Sequence, residues 1–190
     1  MTTICIIRHG QTDWNKNHLI QGRIDNKLND TGKKQAHEVA HLLKEYDNNW
    51  DIIISSPLSR AIETATIIKD ELNYNQDLII NDNVIEREFG KAEGEFITDE
   101  IYDRIKKDDI IGMEKTKELQ LRAFHTIMDI GKKYEGKRIL IISHSHFIKG
   151  LFTYLSKDIT FTSILPNTGL NYIYIENKEI TNFIFNKKIK

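Results

Sequence analysis

The chain has 190 residues and 39% hydrophobic side chains, the length and apolar content of one packed domain. Its 27 basic and 28 acidic side chains leave a formal net charge of -1 without long single-sign blocks, which excludes the electrostatic footprint of a nucleic-acid or membrane-surface binder. One cysteine, Cys5, excludes an intrachain disulfide; with no signal-peptide pattern and no apolar run near ~18 residues, a cytoplasmic, non-membrane protein is expected.

Ile4 to Arg8 is apolar almost without alternation, as in a strand covered on both faces, and Cys5 within it reads as a small buried hydrophobe. Cap candidates Asn29, Asp30 and Thr31 precede Ala36, Val39, Ala40 and Leu43, whose spacing predicts an amphipathic helix. Asp51 to Ser55 is a second buried strand. Ser56 suits the N-cap and Pro57 the first position of a helix carrying the stripe Leu58, Ala61, Ile62, Ala65 and Ile68. Gly94 to Gly112 has many charges and no clear period, and is expected to cover a site. Leu119, Ala123, Thr126, Ile127 and Ile130 mark a third helix. The strand Arg138 to Ser143 follows, and Phe147, Ile148, Leu151, Phe152 and Leu155 mark a fourth helix. Asn171 to Glu176 and Ile180 to Phe185 flank the turn-like Asn177-Lys178-Glu179, predicting a hairpin at a sheet edge. Strands alternating with helical crossovers give an α/β fold with a largely parallel sheet, and no repeat or linker divides residues 1–190.

Ligands of open parallel sheets bind beyond the carboxyl ends of the strands. Here those ends are Arg8-His9-Gly10, Ser55-Ser56-Pro57 with Arg60 shortly after, and Ser143-His144-Ser145-His146. A phosphate dianion calls for fixed donors and positive charge, which guanidinium forks supply, and Arg60 near a helix start would add unpaired N–H groups. A lone arginine is usually a surface ion pair and a lone histidine usually structural; two of each at strand ends form a different pattern. Neutral His9 can attack phosphorus, with Gly10 letting the backbone approach a ligand, while His144, protonated or donating, stabilises the charge spread over three oxygens. The leaving oxygen needs a proton, for which Glu86, Glu88 and Glu93 are nearly equal candidates.

The motif Arg8-His9-Gly10-Gln11-Thr12-Asp13-Trp14-Asn15 is followed by Gln21-Gly22, Leu28 to Gly32, Gln35-Ala36, Ser55 to Ala61 with Glu63-Thr64-Ala65, Glu86 with Phe89-Gly90 and Glu93-Gly94, and Ser143-His144. In this order the chain resembles the histidine phosphatase superfamily, also called the phosphoglycerate mutase-like family. The resemblance implies a three-layer α/β/α sandwich around a mostly parallel central sheet, in a single domain over residues 1–190. It implies that His9 becomes phosphohistidine, that Glu86 is the acid and then the base, and that Arg8, Arg60 and His144 form the phosphate pocket. Asn15 and the Gln21-Gly22 turn would add donors at its rim. Arg122 also matches a family position and is expected to make a structural ion pair.

Three departures from the family pattern stand out: Ser145-His146 replaces two glycines, Lys27 a proline and Ala92 a tryptophan. His144 and His146 form a His-x-His pair that could hold zinc, but no Cys or Asp/Glu cluster accompanies them, so no metal or other cofactor is expected. The resemblance leaves two reactions, hydrolysis of phosphate monoesters of small metabolites or phosphoglycerate mutation. Mutases of the family have longer basic insertions after the acid. Here Asp99, Glu100, Asp103, Asp108 and Asp109 outweigh Lys106 and Lys107, which would repel a second acidic group, so a phosphatase is expected. A non-catalytic module binding phosphorylated ligands would need a broken site, and a nucleotide switch would need a P-loop, which is absent. Partner expectations are a phosphorylated small molecule, no nucleic acid and no membrane; monomer and homodimer remain open.

Overall fold

A computed structural model describes residues 1–188. Strand β1 (Thr2–Arg8) leads into a short helix α1 (Asp13–Lys16) and the long α2 (Asp30–Tyr46). There follow β2 (Ile52–Ser55), α3 (Ser59–Glu71), β3 (Ile79–Ile80), α4 (Asp99–Lys106), α5 (Thr116–Lys133), β4 (Arg138–Ser143), α6 (Ser145–Leu155), β5 (Leu170–Glu176) and β6 (Glu179–Lys187). The sheet order is β3-β2-β4-β1-β5-β6, parallel from β3 to β1 and antiparallel through β5 and β6.

Alternate residues of the central strands feed two cores, giving the three layers. On one face Ile4, Ile6, Ile139, Ile141 and Ile173 pack against Ala123 and Ile127 of α5 and Phe147, Ile148 and Leu151 of α6. On the other, Cys5, Ile7, Leu140, Ile142 and Tyr172 pack against Val39, Ala40 and Leu43 of α2 and Ala61, Ala65 and Ile68 of α3. Apolar side chains on both faces explain why β1 and β4 show no hydrophobic alternation. Burial pushes the Cys5 thiol up to about 12, so it remains an inert core group.

The edge hairpin forms where expected, its turn made by Asn177 and Lys178, both with positive φ, as the two-residue turns that match strand twist require. Three elements differ from the sequence reading. Helix α3 starts at Ser59 with Leu58 at its N-cap, and Pro57 lies before the helix. The Gly94 to Gly112 segment contains α4, whose Ile105 is buried in a small cluster with Ile20, Phe89 and Met113. The two-residue β3, both side chains exposed, extends the sheet beyond β2. No helix among the described residues is long and apolar enough to cross a membrane.

Candidate active site

The carboxyl ends of β1, β2 and β4 lie side by side, and the backbone ladder continues past them through His9 N to Ser143 O and Ser56 N to Ile142 O. This continuation fixes His9, which is 2% exposed. Its Nδ1 lies 2.7 Å from Gly10 O; a carbonyl only accepts, so Nδ1 carries the proton and Nε2 the lone pair. Arg60 Nε donates to that Nε2 at 3.2 Å. Burial holds His9 well below the ordinary imidazole range, and the Arg60 and Arg8 cations press the same way. His9 is therefore a neutral imidazole with an unprotonated Nε2.

Arg60 is fully buried and donates its remaining forks to Gly22 O at 2.7 Å and Ile24 O at 2.8 Å. Burial brings it down to about 10, against the opposing pull of Glu86 and Asp25, and it stays charged. The expected anion site at the start of α3 is already filled. Asp25 accepts from Ser59 N and Ser59 Oγ, both at 2.7 Å, and so caps the helix from another loop. Ser56 is not the N-cap, which is Leu58; its hydroxyl lies 2.7 Å from His144 Nε2 and also accepts from Leu58 N at 3.4 Å.

His144 is fully buried, its ring centroid 5.1 Å from that of His9. Burial, then Arg60, holds it well below the imidazole range, so of the two states expected for it the neutral one applies. Its Nδ1 is out of solvent and has no partner among the described residues. Arg8 donates from Nη1 to Leu165 O at 2.7 Å, while its buried Nε is unpaired.

Arg8, His9, Asn15, Gln21, Gly22, Arg60 and Glu86 line one cavity of about 200 Å³, whereas His144, also expected in the phosphate pocket, is fully buried and does not line it. Asn15 Oδ1 accepts from Thr12 N and Gln21 Oε1 from Thr12 Oγ1, leaving the two amide nitrogens as the uncommitted donors. Gly22 has φ +51°, and a Cβ there would stand 1.9 Å from Glu93 Oε1. Gly10 also has a packing reason for being glycine. A Cβ would meet Gly32 O of α2 at 2.4 Å, so the residue lets α2 close against the β1 turn.

The three glutamates separate by position. Glu93 Oε1 clamps the backbone N–H groups of Arg23 and Phe89, each at 3.0 Å, and Glu88 pairs on the surface with Arg23. Glu86 alone lines the cavity, 7% exposed, with Oε1 receiving the N–H groups of Arg87, His146 and Phe147 at 2.8 to 3.1 Å. Ser145-His146, in place of glycines, thus begins the helix that anchors this carboxylate. Arg122 makes the expected ion pair, bidentate to Glu114, and ties Asn83 O and Ile85 O just before Glu86.

The acidic residues of 99–109 do not line the cavity. That segment contributes Tyr102 and Ile105, while Asp108 pairs with Arg87 and Asp103 with Lys106, so the expected repulsion of a second acidic group is not built into the wall. Among the described residues no three His, Cys, Asp or Glu side chains cluster as a metal site, and His146 stacks on Phe161 at 5.1 Å.

Asn167 escaped the sequence reading, and Thr64 entered it only as part of a motif, without a role. Asn167 Nδ2 donates to His9 O at 2.9 Å, and Thr64 Oγ1 accepts from Gly10 N at 3.0 Å while donating to Arg60 O. Asn167 was findable: β5 runs antiparallel to β1, so the residues just before it must lie at the same edge as His9.

The model of the histidine phosphatase superfamily (branch 1) matches residues 4–186. Over 156 residues the chain is 37% identical to an uncharacterized phosphatase, PhoE, of Bacillus subtilis, covering 82% of this chain and 78% of that one. It is 26% identical over 190 residues to a metal-independent phosphoserine phosphatase of Arabidopsis thaliana, covering 94% and 79%. The crystal structure of an Entamoeba histolytica phosphoserine phosphatase in complex with 3-phosphoglyceric acid superposes with a TM-score of 0.81 at 30% identity, covering 99% and 98% of the two chains. Fold, site geometry and these similarities agree: the chain belongs to the histidine phosphatase superfamily.

Proposed function

We propose that this protein hydrolyses phosphate monoesters of small metabolites through a phosphohistidine on His9, in a single domain and without a metal. The observation that carries the reading is the state of His9: Nδ1–H committed to Gly10 O, Nε2 unprotonated, and a guanidinium already directed at Nε2. Substrate phosphate takes the place of that Arg60 contact, its oxygens held by Arg8, Arg60 and the uncommitted donors of Asn15 and Gln21. His9 Nε2 attacks phosphorus, the P–O ester bond breaks, and Glu86 gives its proton to the leaving oxygen. Glu86, now a carboxylate, takes a proton from water as that water attacks the phosphohistidine; the N–P bond breaks, its electron pair returns to Nε2, and inorganic phosphate leaves. Positive charge comes from two arginines, so no step draws on a metal.

Hydrolysis is favoured over mutation by the cavity. About 200 Å³ is below the usual range for ligand pockets, and beyond Arg8 and Arg60 its wall holds a single further cation, Lys149, too little to retain a bisphosphorylated intermediate. Buried, unpaired Cys5 suits a reducing compartment, which we take to be the cytoplasm. The test is a phosphometabolite screen ranked by kcat/KM with chelator present, comparing wild type with His9→Ala. Hydrolysis of one or more esters, lost in the variant, supports the reading; faster isomerisation of 3-phosphoglycerate than hydrolysis of any ester rejects it.

A further inference from the structure

Gly10 sits between two peptide bonds whose polar groups are all engaged by side chains. In the His9–Gly10 peptide the carbonyl accepts from Asn167 Nδ2 at 2.9 Å, and the N–H donates to Thr64 Oγ1 at 3.0 Å. In the Gly10–Gln11 peptide the N–H donates to Gln35 Oε1 at 2.9 Å, and the carbonyl accepts from His9 Nδ1. Gln35 belongs to α2, Thr64 to α3, and Asn167 to the turn before β5. A glycine between two peptides offers the least resistance to their rotation. Rotation of either would carry Gly10 O away from His9 Nδ1.

The turn that carries Asn167 is strained. Gly169 N donates to Pro166 O at 3.2 Å, closing a β-turn whose third residue, Thr168, has φ +56°. That position ordinarily falls to Gly or Asn, and among the described non-glycine residues with positive φ only Thr168 is β-branched. Thr168 N to Arg8 O at 2.9 Å and Thr168 Oγ1 to Asn167 O at 2.7 Å hold it there. A carbonyl only accepts, so it is the amide nitrogen of Asn167 that faces His9 O; the same nitrogen lies 3.4 Å from Asn15 Oδ1. Backbone strain that persists beside a reactive group points to a task there.

Without ligand, two groups favour the proton on Nδ1 of His9: Gly10 O accepts it, and Arg60 Nε donates to the opposite nitrogen. A bound phosphate draws Arg60 to itself and presents an acceptor oxygen to Nε2, which favours a proton on the nitrogen that has to attack. Gly10 O is then the group left to oppose this dead-end tautomer. We propose that Asn167, Thr64 and Gln35 are positioning residues that, by holding the two peptides around Gly10, keep the lone pair of His9 on Nε2 while phosphate is bound. This rests on the reading of His9 and Arg60 as the phosphate site. None of the three takes part in bond breaking.

The test reads the tautomer of His9 by 15N NMR of the imidazole, with saturating inorganic phosphate, in wild type, Asn167→Ala, Thr64→Val and Thr64→Ser. The His9 signal is identified by its loss in His9→Ala. Wild type should hold Nδ1–H with and without phosphate. In Asn167→Ala and Thr64→Val, phosphate should lower the ratio of Nδ1–H to Nε2–H by about 10-fold, the net strength of one hydrogen bond. Their kcat/KM for p-nitrophenyl phosphate should fall by a similar factor. Thr64→Ser, which keeps the acceptor, should keep the wild-type tautomer. A tautomer unchanged by either substitution in the phosphate complex overturns the proposal even if activity is lost, because a structural defect alone lowers turnover without moving the proton. Asn167 is half-buried in a turn outside both cores, so Asn167→Ala decides alone if Thr64→Val does not fold. If inorganic phosphate does not bind, the hydrolase reading fails separately. The same substitutions are then compared in Arg60→Met, where the contact to Nε2 is removed without a ligand, with the same ratio deciding.

Discussion

Arg60 Nε donates to His9 Nε2 at 3.2 Å, while the opposite nitrogen of the ring is committed to Gly10 O at 2.7 Å. The guanidinium thus does two things to one atom: it helps keep His9 neutral and marks where a phosphate oxygen is to sit. Arg60→Met should lower kcat/KM by about 10² to 10³-fold, the usual loss for a preorganised oxyanion donor. It should also move the acid limb of the pH profile upward, because one of the cations depressing His9 is gone. An acid limb in the same place as in wild type would show that Arg60 does not act on His9.

The acid limb of wild type reports protonation of His9, which lies well below the ordinary 6.5, so kcat/KM should show no break from His9 between pH 7 and 6.5. Stability should respond sooner. His9, His144 and His146 are neutral in the folded protein and titrate at 6.5 when unfolded; the depressed folded values mean stability is complete above 6.5 and is lost as pH falls below it. Each contributes about 1.4 kcal/mol per pH unit, roughly 4.2 together. Urea unfolding from pH 7.5 to 5.5 measures this, and a flat curve across 6.5 would contradict it.

Glu86→Gln retains an amide oxygen for the N–H groups of Arg87, His146 and Phe147 but has no proton to donate. Alkyl esters should slow by about 10² to 10⁴-fold, and p-nitrophenyl phosphate, whose leaving group hardly needs protonation, much less. Equal slowing of both would remove Glu86 from the acid role.

Arg122 and Glu114 are side chains 19% and 11% exposed, and through Asn83 O and Ile85 O the arginine sets the chain entering Glu86. Arg122→Met leaves the Glu114 carboxylate without its bidentate partner and should destabilise the fold by about 3 kcal/mol. Activity at a temperature where the variant is folded should fall more for alkyl esters than for p-nitrophenyl phosphate, as for a residue that positions the acid; a loss of stability with unchanged ester selectivity would make Arg122 structural only.

What could be read from residues alone was set by distance along the chain. The strand ends at Arg8, Ser55 and Ser143 were legible because unbroken apolar runs terminate at polar groups, and parallel topology brings those ends together. The start of α3 was misread because the hydroxyl of Ser56 goes to His144, and Asp25 reaches across to cap Ser59 instead; neither contact leaves a local trace. The packing reason for glycine at position 10 lies in its contact with Gly32, invisible until α2 is placed. Helix α4 was hidden by its charges, since only Ile105 of its eight residues is fully buried. Among three adjacent glutamates, residue spacing could not tell clamp from surface pair from cavity wall, and only the family resemblance pointed to Glu86.

The central claim is that phosphorus becomes bonded to one named nitrogen. Reaction with substrate, an alkaline quench within the turnover time and peptide mass spectrometry test it directly. The account predicts an acid-labile, alkali-stable phosphoryl group on the peptide containing His9, absent from His9→Ala. Rapid turnover with no trapped phosphopeptide, or a phosphoryl group located on any other residue, would contradict it.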